Sequence, residues 1–306
     1  MSEETIQQTF NVSTPAQVRV SNIAGSVQVL PGEASVVEVL AVKRPRGGDM
    51  EHTQVILSQD EDGTVRVETR YDHSILGLFG WKPCEVDYTI RVPRQCDVKV
   101  STVSSSSLIS GIEGKIEVST VSGPIEAHDL SGALRLDSVS GKVSGERLAG
   151  SLQLKTVSGR VRLGASNLEG VEASTVSGDL ELETPLGGGP YRFDAVSGNL
   201  HLTLPAENRC SVRISSISGG IHSSMPVTKE QGNGFGHGNR DRYVEFNGGG
   251  ARIDYHSVSG SVWINSNLPQ AEGSTPSEES HSSTMEILEK IERGDMTVEE
   301  GLQKLK

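Results

Sequence analysis

Aromatic residues are scarce in this chain, with five phenylalanines, five tyrosines and two tryptophans among 306 residues. A core built on ring clusters is therefore excluded, and stacked aliphatic layers remain. Basic residues are also in deficit, 28 against 40 acidic ones, for a net charge of -12. That balance argues against nucleic acid, whose partners carry a basic face. The one basic run, "KRPR" at Lys43–Arg46, is short and isolated. Long hydrophobic runs are missing too. The most apolar stretch, "ILGLFGW" (Ile75–Trp81), falls far below the roughly 20 residues needed to span a bilayer. Cysteine is limited to Cys84, Cys96 and Cys210, with no metal-ligand spacing, which fits buried thiols in a reducing compartment. The opening "MSEETIQQTF" has no basic-then-apolar pattern of a secretory signal. The expectation is a soluble, cytoplasmic protein.

What the chain has instead is repetition. "Val-Ser-Gly" or a close variant opens at Val103, Val121, Val139, Val157, Val176, Val196, Ile217 and Val258, at intervals of 18, 18, 18, 19, 20, 21 and 41 residues. A weaker copy falls between them, as in Ile112-Glu-Gly114, Leu130-Ser-Gly132 and Leu148-Ala-Gly150. After each glycine the second and fourth positions are apolar, as in Ile116/Val118, Leu134/Leu136, Leu152/Leu154 and Val161/Leu163, with polar residues between them. Period two is the signature of a strand, and no helical spacing survives in this region.

Two short strands per period predict an all-β chain folded as a parallel β-solenoid, taken as right-handed, with about 18–21 residues per coil. Equivalent residues of successive coils then lie about 4.8 Å apart. In this reading Val-Ser-Gly is a corner: glycine supplies a conformation that a Cβ would penalise, serine bonds local backbone, and the valine points inward. A serine beside glycine also resembles a nucleophile motif. Ser122, Ser140, Ser158, Ser177, Ser197, Ser218 and Ser259 share one repeat position, however, and a nucleophile is needed once. A structural ladder is the better reading.

The predicted domains are a solenoid over 1–266, a linker over 267–284 and a helical hairpin over 285–306. Residues 1–100 are strand-like but irregular, forming first coils that cap the stack, with a hairpin turn at Asp62-Gly63. Regular repeats occupy 101–266, broken near 226–242 by a Gly-rich surface loop. The tail "MEILEKIERGDMTVEEGLQKLK" presents Ile287, Leu288 and Ile291 on one helix, then a capping box at Thr297–Glu300 and Leu302 and Leu305 on a second. A hairpin this small needs another surface to pack on.

The run "DYTIRVPRQCDVKVSTVSSSS" and the serial "TVSGxLxL" resemble the toast-rack β-solenoid family of bacterial candidate adhesins, over about residues 10–266. The tail "ILEKIERGDMTVEEGLQKL" resembles the SHOCT-like hairpin that accompanies such solenoids in Lia-type envelope-stress proteins; Gly301 departs from that pattern, where alanine is usual. The resemblance implies a non-enzymatic role tied to the cell envelope, its stress signalling or adhesin-like assembly. Protein partners or self-association would come through the hairpin.

Other candidate sites are few. Coil spacing places Arg162 beside Glu181 and Arg160 beside Asp179 as charged rungs. Glu181, His201 and His222 are weighed as metal ligands, but a solvated ladder is favoured, so no metal and no cofactor are expected. Leu76, Leu78, Phe79 and Trp81 form either a plug on the core or a contact for a protein or a membrane surface. A carbohydrate-binding or carbohydrate-active β-helix is the alternative function. No paired carboxylates converge in the sequence to support catalysis. The calcium-binding β-roll needs an Asp that these repeats lack.

Overall fold

A computed structural model describes residues 3–45, 50–71, 84–232 and 240–267, which lie within one compact unit, Met1–Asn267. Among the described residues every regular element is a strand. Each regular coil writes one long and one short strand. Glu113–Thr120, Ser131–Ser138 and Ala149–Thr156 follow one another in a 13-stranded sheet, and Ile125–His128, Val143–Glu146 and Val161–Gly164 in a 12-stranded one. Pairing between coils is parallel, with Ile116 against Leu134 and Leu134 against Leu152. The period-two pattern makes this possible. Ile116, Val118, Ile125 and Ala127 are all completely buried between the two sheets, each large side chain contributing about 1.5–3 kcal/mol of burial. The β-solenoid expected from the repeat is the fold observed.

The lengthening intervals have local causes. The first 19-residue interval comes from a bulge, where Gly150 pairs with Leu168 and Ser151 with Gly170. Coils of 20 residues and more hold buried aromatics that the 18-residue coils lack, including Tyr191, Phe193 and Tyr255. The two tyrosine hydroxyls are satisfied. Tyr191 accepts from the Gly187 amide at 2.7 Å and donates to the Leu168 carbonyl at 3.0 Å, while Tyr255 donates to the Gly198 carbonyl.

Spatial order departs from sequence order at the C-terminal end. Tyr191–Ala195 pairs with Ala251–Ser257, and Ala251–Ser257 pairs in turn with Cys210–Ser216. The chain therefore skips a level and later returns to fill it. Between the two passes, the segment expected to be a Gly-rich loop forms strands Val227–Gly232 and Arg240–Phe246. The second of these pairs antiparallel with Cys210–Ser216, which covers that edge of the sheet. Residues 233–239 lie outside the described residues.

The N-terminal coils are irregular, as expected. Val36–Arg44 runs antiparallel to both Glu4–Asn11 and Glu85–Val92, and Thr53–Gln59 and Val65–Tyr71 form the hairpin around Asp62-Gly63. Inside this end, buried Asn22 donates to the Val86 carbonyl at 2.8 Å and accepts from Thr69, which also meets the Tyr88 hydroxyl at 2.7 Å. Burial pushes the Tyr88 phenol up to about 12.

Cys84, Cys96 and Cys210 are free and buried, as expected from their count. Burial pushes the Cys96 thiol up to about 12 and Cys210 up to about 11. Since the thiolate is the reactive form, neither should react with iodoacetamide at pH near 8 until the protein is unfolded. Rapid labelling of the native protein, read by intact mass, would show that these coils open.

Candidate interaction surface

The repeat corner carries the most informative surface, and it differs from the sequence reading in one respect. The valine of Val-Ser-Gly points outward. Val103, Val121, Val139, Val157, Val176, Val196 and Val258 are 45–49% exposed and Ile217 is 62% exposed. The reason is continuity of the strand. Leu152 and Leu154 face inward, Gln153 and Lys155 outward, and the alternation runs on through Thr156, buried, to Val157, exposed. Hydrophobicity of one side chain does not override the pleat.

Each corner position has its own task. The inward hydroxyl satisfies the corner amide, as the Gly123, Gly159 and Gly178 N–H groups donate to Thr120, Thr156 and Thr175 Oγ1 at 3.1, 3.0 and 2.8 Å. The serine bonds the coil before it. The Ser122 amide donates to the Val103 carbonyl at 2.9 Å and its hydroxyl reaches the same oxygen at 3.2 Å. Ser140 repeats this on Val121 and Ser158 on Val139. The serines thus form the structural ladder expected of them. Because the amide bond remains when the hydroxyl is removed, Ser158→Ala should cost no more than about 1 kcal/mol, a shift in melting temperature of a few degrees at most.

The corner glycine is required for a different reason from the one expected. At Gly123, Gly141, Gly159, Gly178 and Gly198 the backbone is not in the left-handed region; instead an added Cβ would lie under 3.0 Å from a carbonyl oxygen of the preceding coil. The weaker copies do use positive φ, as at Gly132 (φ +118) and Gly150 (φ +98). Close stacking of coils fixes the first set; the second combines positive φ with the same close approach, a Cβ at Gly132 or Gly150 also lying under 3.0 Å from the carbonyl oxygen of the preceding coil.

The valines stack into an apolar ridge, one per coil. Beside it runs the column two residues before each ridge position, in spatial order Ser101, Ser119, Asp137, Lys155, Ser174, Asp194, His256 and Ser215, the last buried and bonded to Asp241 at 2.6 Å. Between ridge and column lies a shallow groove. One stretch of about 590 Å³ runs from Thr102 to Val176, and another of about 650 Å³ continues along Val196, Val258 and Ile217. Small hydroxyl and apolar side chains line most of it, with Asp137 and Lys155 in the first stretch and Asp194 and His256 in the second.

On the short-strand face the charged rungs appear as expected in part. Arg162 bonds Glu181 at 2.6 Å. Asp179 lies beside Arg160 in the register, as expected, but its carboxylate accepts from the backbone and side-chain N–H groups of Asn199, both at 3.1 Å. Elsewhere Glu117 takes Lys115 at 2.6 Å and Lys99 at 3.3 Å, and Arg147 clasps Asp129 at 2.6 and 2.9 Å. These bonds hold the Glu117, Asp129 and Glu181 carboxyls below their ordinary range, chiefly through Lys115, Arg147 and Arg162 respectively. A depressed carboxylate contributes stability that is present above its unfolded pKa and lost as pH falls through the folded one. Melting temperature should therefore hold steady near neutrality and decline below about pH 4, by a small amount since all three groups are solvent-screened. An unchanged melting temperature down to pH 2 would contradict it.

The metal reading of Glu181, His201 and His222 does not survive the coil order. Because the chain skips a level, Trp263 sits between the two histidines, stacked on His201 at 4.7 Å and on His222 at 5.1 Å between ring centroids. No group of three His, Cys, Asp or Glu among the described residues is placed to hold a metal ion. Both faces of the indole are occupied, which also disfavours a sugar ring stacking on it. Sequence order hid this cluster; only the return of the chain to the skipped level creates it. Leu76, Leu78, Phe79 and Trp81, and the hairpin residues Ile287, Leu288, Ile291, Leu302 and Leu305, lie outside the described residues. Among the described residues no helix is long and apolar enough to cross a membrane.

A family model described as Toastrack DUF4097 matches residues 26–265. Among curated proteins, none matches. Solved structures with a similar course include a candidate adhesin from Parabacteroides distasonis ATCC 8503, 10% identical with TM-score 0.41, covering 86% of this chain and 97% of that one. Another is a candidate adhesin from Parabacteroides merdae ATCC 43184, 11% identical with TM-score 0.41, covering 87% and 97%. A third, from P. distasonis, is named as a candidate lipid-binding protein, at 13% identity and TM-score 0.38, covering 86% and 97%. At these identities and TM-scores no functional argument follows from them.

Proposed function

The chain belongs to the Toastrack DUF4097 family, and from that premise we propose that it is a non-enzymatic scaffold that works by surface contact, serving bacterial envelope-stress sensing or adhesin-like assembly. The observation that carries this reading is the ridge of Val103–Ile217, regular over eight coils and about half exposed throughout. Scattered exposed apolar residues are ordinary, whereas a contiguous apolar strip marks an interaction site. A rigid repeat stack suits the task, since it holds many identical contacts in one line.

In this proposal the tail 285–306 is a second contact element on a polar tether. Its apolar stripes, Ile287/Leu288/Ile291 and Leu302/Leu305, are too small to bury each other and dock on a protein surface. The stretch Leu76, Leu78, Phe79 and Trp81 is a further candidate contact, to protein or to a membrane surface. A cytoplasmic location and the absence of a cofactor belong to the same proposal. Truncation at residue 284 tests the tail: the melting temperature should stay within a few degrees while partner capture or oligomeric state changes. A truncated chain that loses its fold and keeps its associations would make the tail a cap of the solenoid instead.

A further inference from the structure

The ridge has a spacing, and spacing selects a partner. Its valines recur at about 4.8 Å, the interstrand distance of a sheet. An α-helix laid along it offers side chains at a pitch of about 5.4 Å. The mismatch of about 0.6 Å per step puts the two out of phase after about four rungs. A surface that stays in phase over the whole ridge has the same repeat, which a second copy supplies.

Area points the same way. A fully exposed aliphatic side chain presents about 60–120 Å² by transfer energetics. Half-exposed over eight rungs, the ridge therefore offers about 250–500 Å² of apolar surface per copy, within the range of patches that are often functional. Two ridges with their flanking columns approach the total of about 1,200 Å² at which specific interfaces begin.

Charge then chooses the register. Around Ser174, on the Val176 rung, the column is self-complementary when reversed. One rung away on either side stand Lys155 and Asp194; two rungs away stand Asp137 and His256; three rungs away stand Ser119 and Ser215. Two copies lying antiparallel about this rung place Lys155 against Asp194 and Asp137 against an imidazole donor, twice each. A half-rung slip toward Val157 would instead set Asp137 against Asp194, which like charges oppose. Pairing Asp137 with Lys155 is the other attractive register, but it leaves the rungs of Val258 and Ile217 uncovered.

Resting on the interaction reading above, we infer that the ridge is a self-association surface, joining two copies antiparallel about Val176. The geometry is isologous, so one patch serves both partners.

Full-length protein carrying Val176→Cys tests the axis directly, because its own three cysteines are buried. Mild oxidation should give a disulfide-linked dimer through position 176, while Val103→Cys, which has no counterpart in this register, should not crosslink. Light scattering should show a concentration-dependent dimer that Lys155→Glu weakens at least tenfold and that Lys155→Glu with Asp194→Lys restores. Each variant should melt as the parent does. A monomer at every concentration, or no restoration by the charge swap, overturns the self-association. If Val157→Asp then abolishes binding to anionic lipid vesicles or capture of another protein, the ridge is still a contact surface with a different partner. If Val157→Asp changes no association of any kind, the wider interaction reading falls as well.

Discussion

Leu154→Asp should unfold the central coils, while Val157→Asp, three residues away, should leave the melting temperature nearly unchanged. Leu154 is 2% exposed and packed between the sheets; Val157 is 45% exposed on the ridge. Burying an unpaired carboxylate costs several kcal/mol even after relaxation. That is a large share of the whole stability of a domain, about 5–15 kcal/mol. Leu154→Ala, which leaves a cavity and no charge, should cost about 2–5 kcal/mol. Thermal melts followed by circular dichroism separate the three variants. Comparable losses in Leu154→Asp and Val157→Asp would mean that the corner turns the valine into the core.

The second large effect concerns the corner glycine. Gly159→Ala should destabilise strongly, because the new methyl would overlap the Gly141 carbonyl of the coil before it. Backbone cannot retreat as a flexible side chain can, so the coils must part locally and their hydrogen bonds with them. Overpacking of this kind costs about 1–3 kcal/mol in ordinary cores, and a contact against backbone belongs at the upper end of that range or beyond. Gly188→Ala is the control, since a Cβ there meets nothing within 4 Å; its melting temperature should match the parent. Equal behaviour of the two would remove close coil stacking as the reason for the repeat.

These contrasts also show where sequence was enough. The recurrence of Gly-x-apolar-x-apolar specified the strands, the parallel stack and the inward positions of Ile116, Leu134 and Leu152, since period two admits one buried face. The Arg162–Glu181 rung followed from the coil length alone. The outward valine was legible as well, had the alternation from Leu152 and Leu154 been counted through the corner rather than broken to bury the most apolar residue. Two features were not legible. Glu4–Asn11 is a polar edge strand paired with Val36–Arg44, and its mixture of Thr, Gln and Glu carries no period. The His201–Trp263–His222 stack depends on which coil fills the skipped level, and no local spacing reports that.

The orientation of the corner underlies the ridge, the groove and the proposed association, and cysteine accessibility measures it most directly. Single variants Val157→Cys and Leu154→Cys, both in the full chain with its buried Cys84, Cys96 and Cys210 retained, would be mixed with a maleimide under native conditions and followed by intact mass. The predicted result is one rapid label on Val157→Cys, at a rate approaching that of a free thiol when the protein is dilute, and none on Leu154→Cys until denaturant is added. Protection of position 157 equal to that of position 154, in dilute monomeric protein, would contradict the outward ridge.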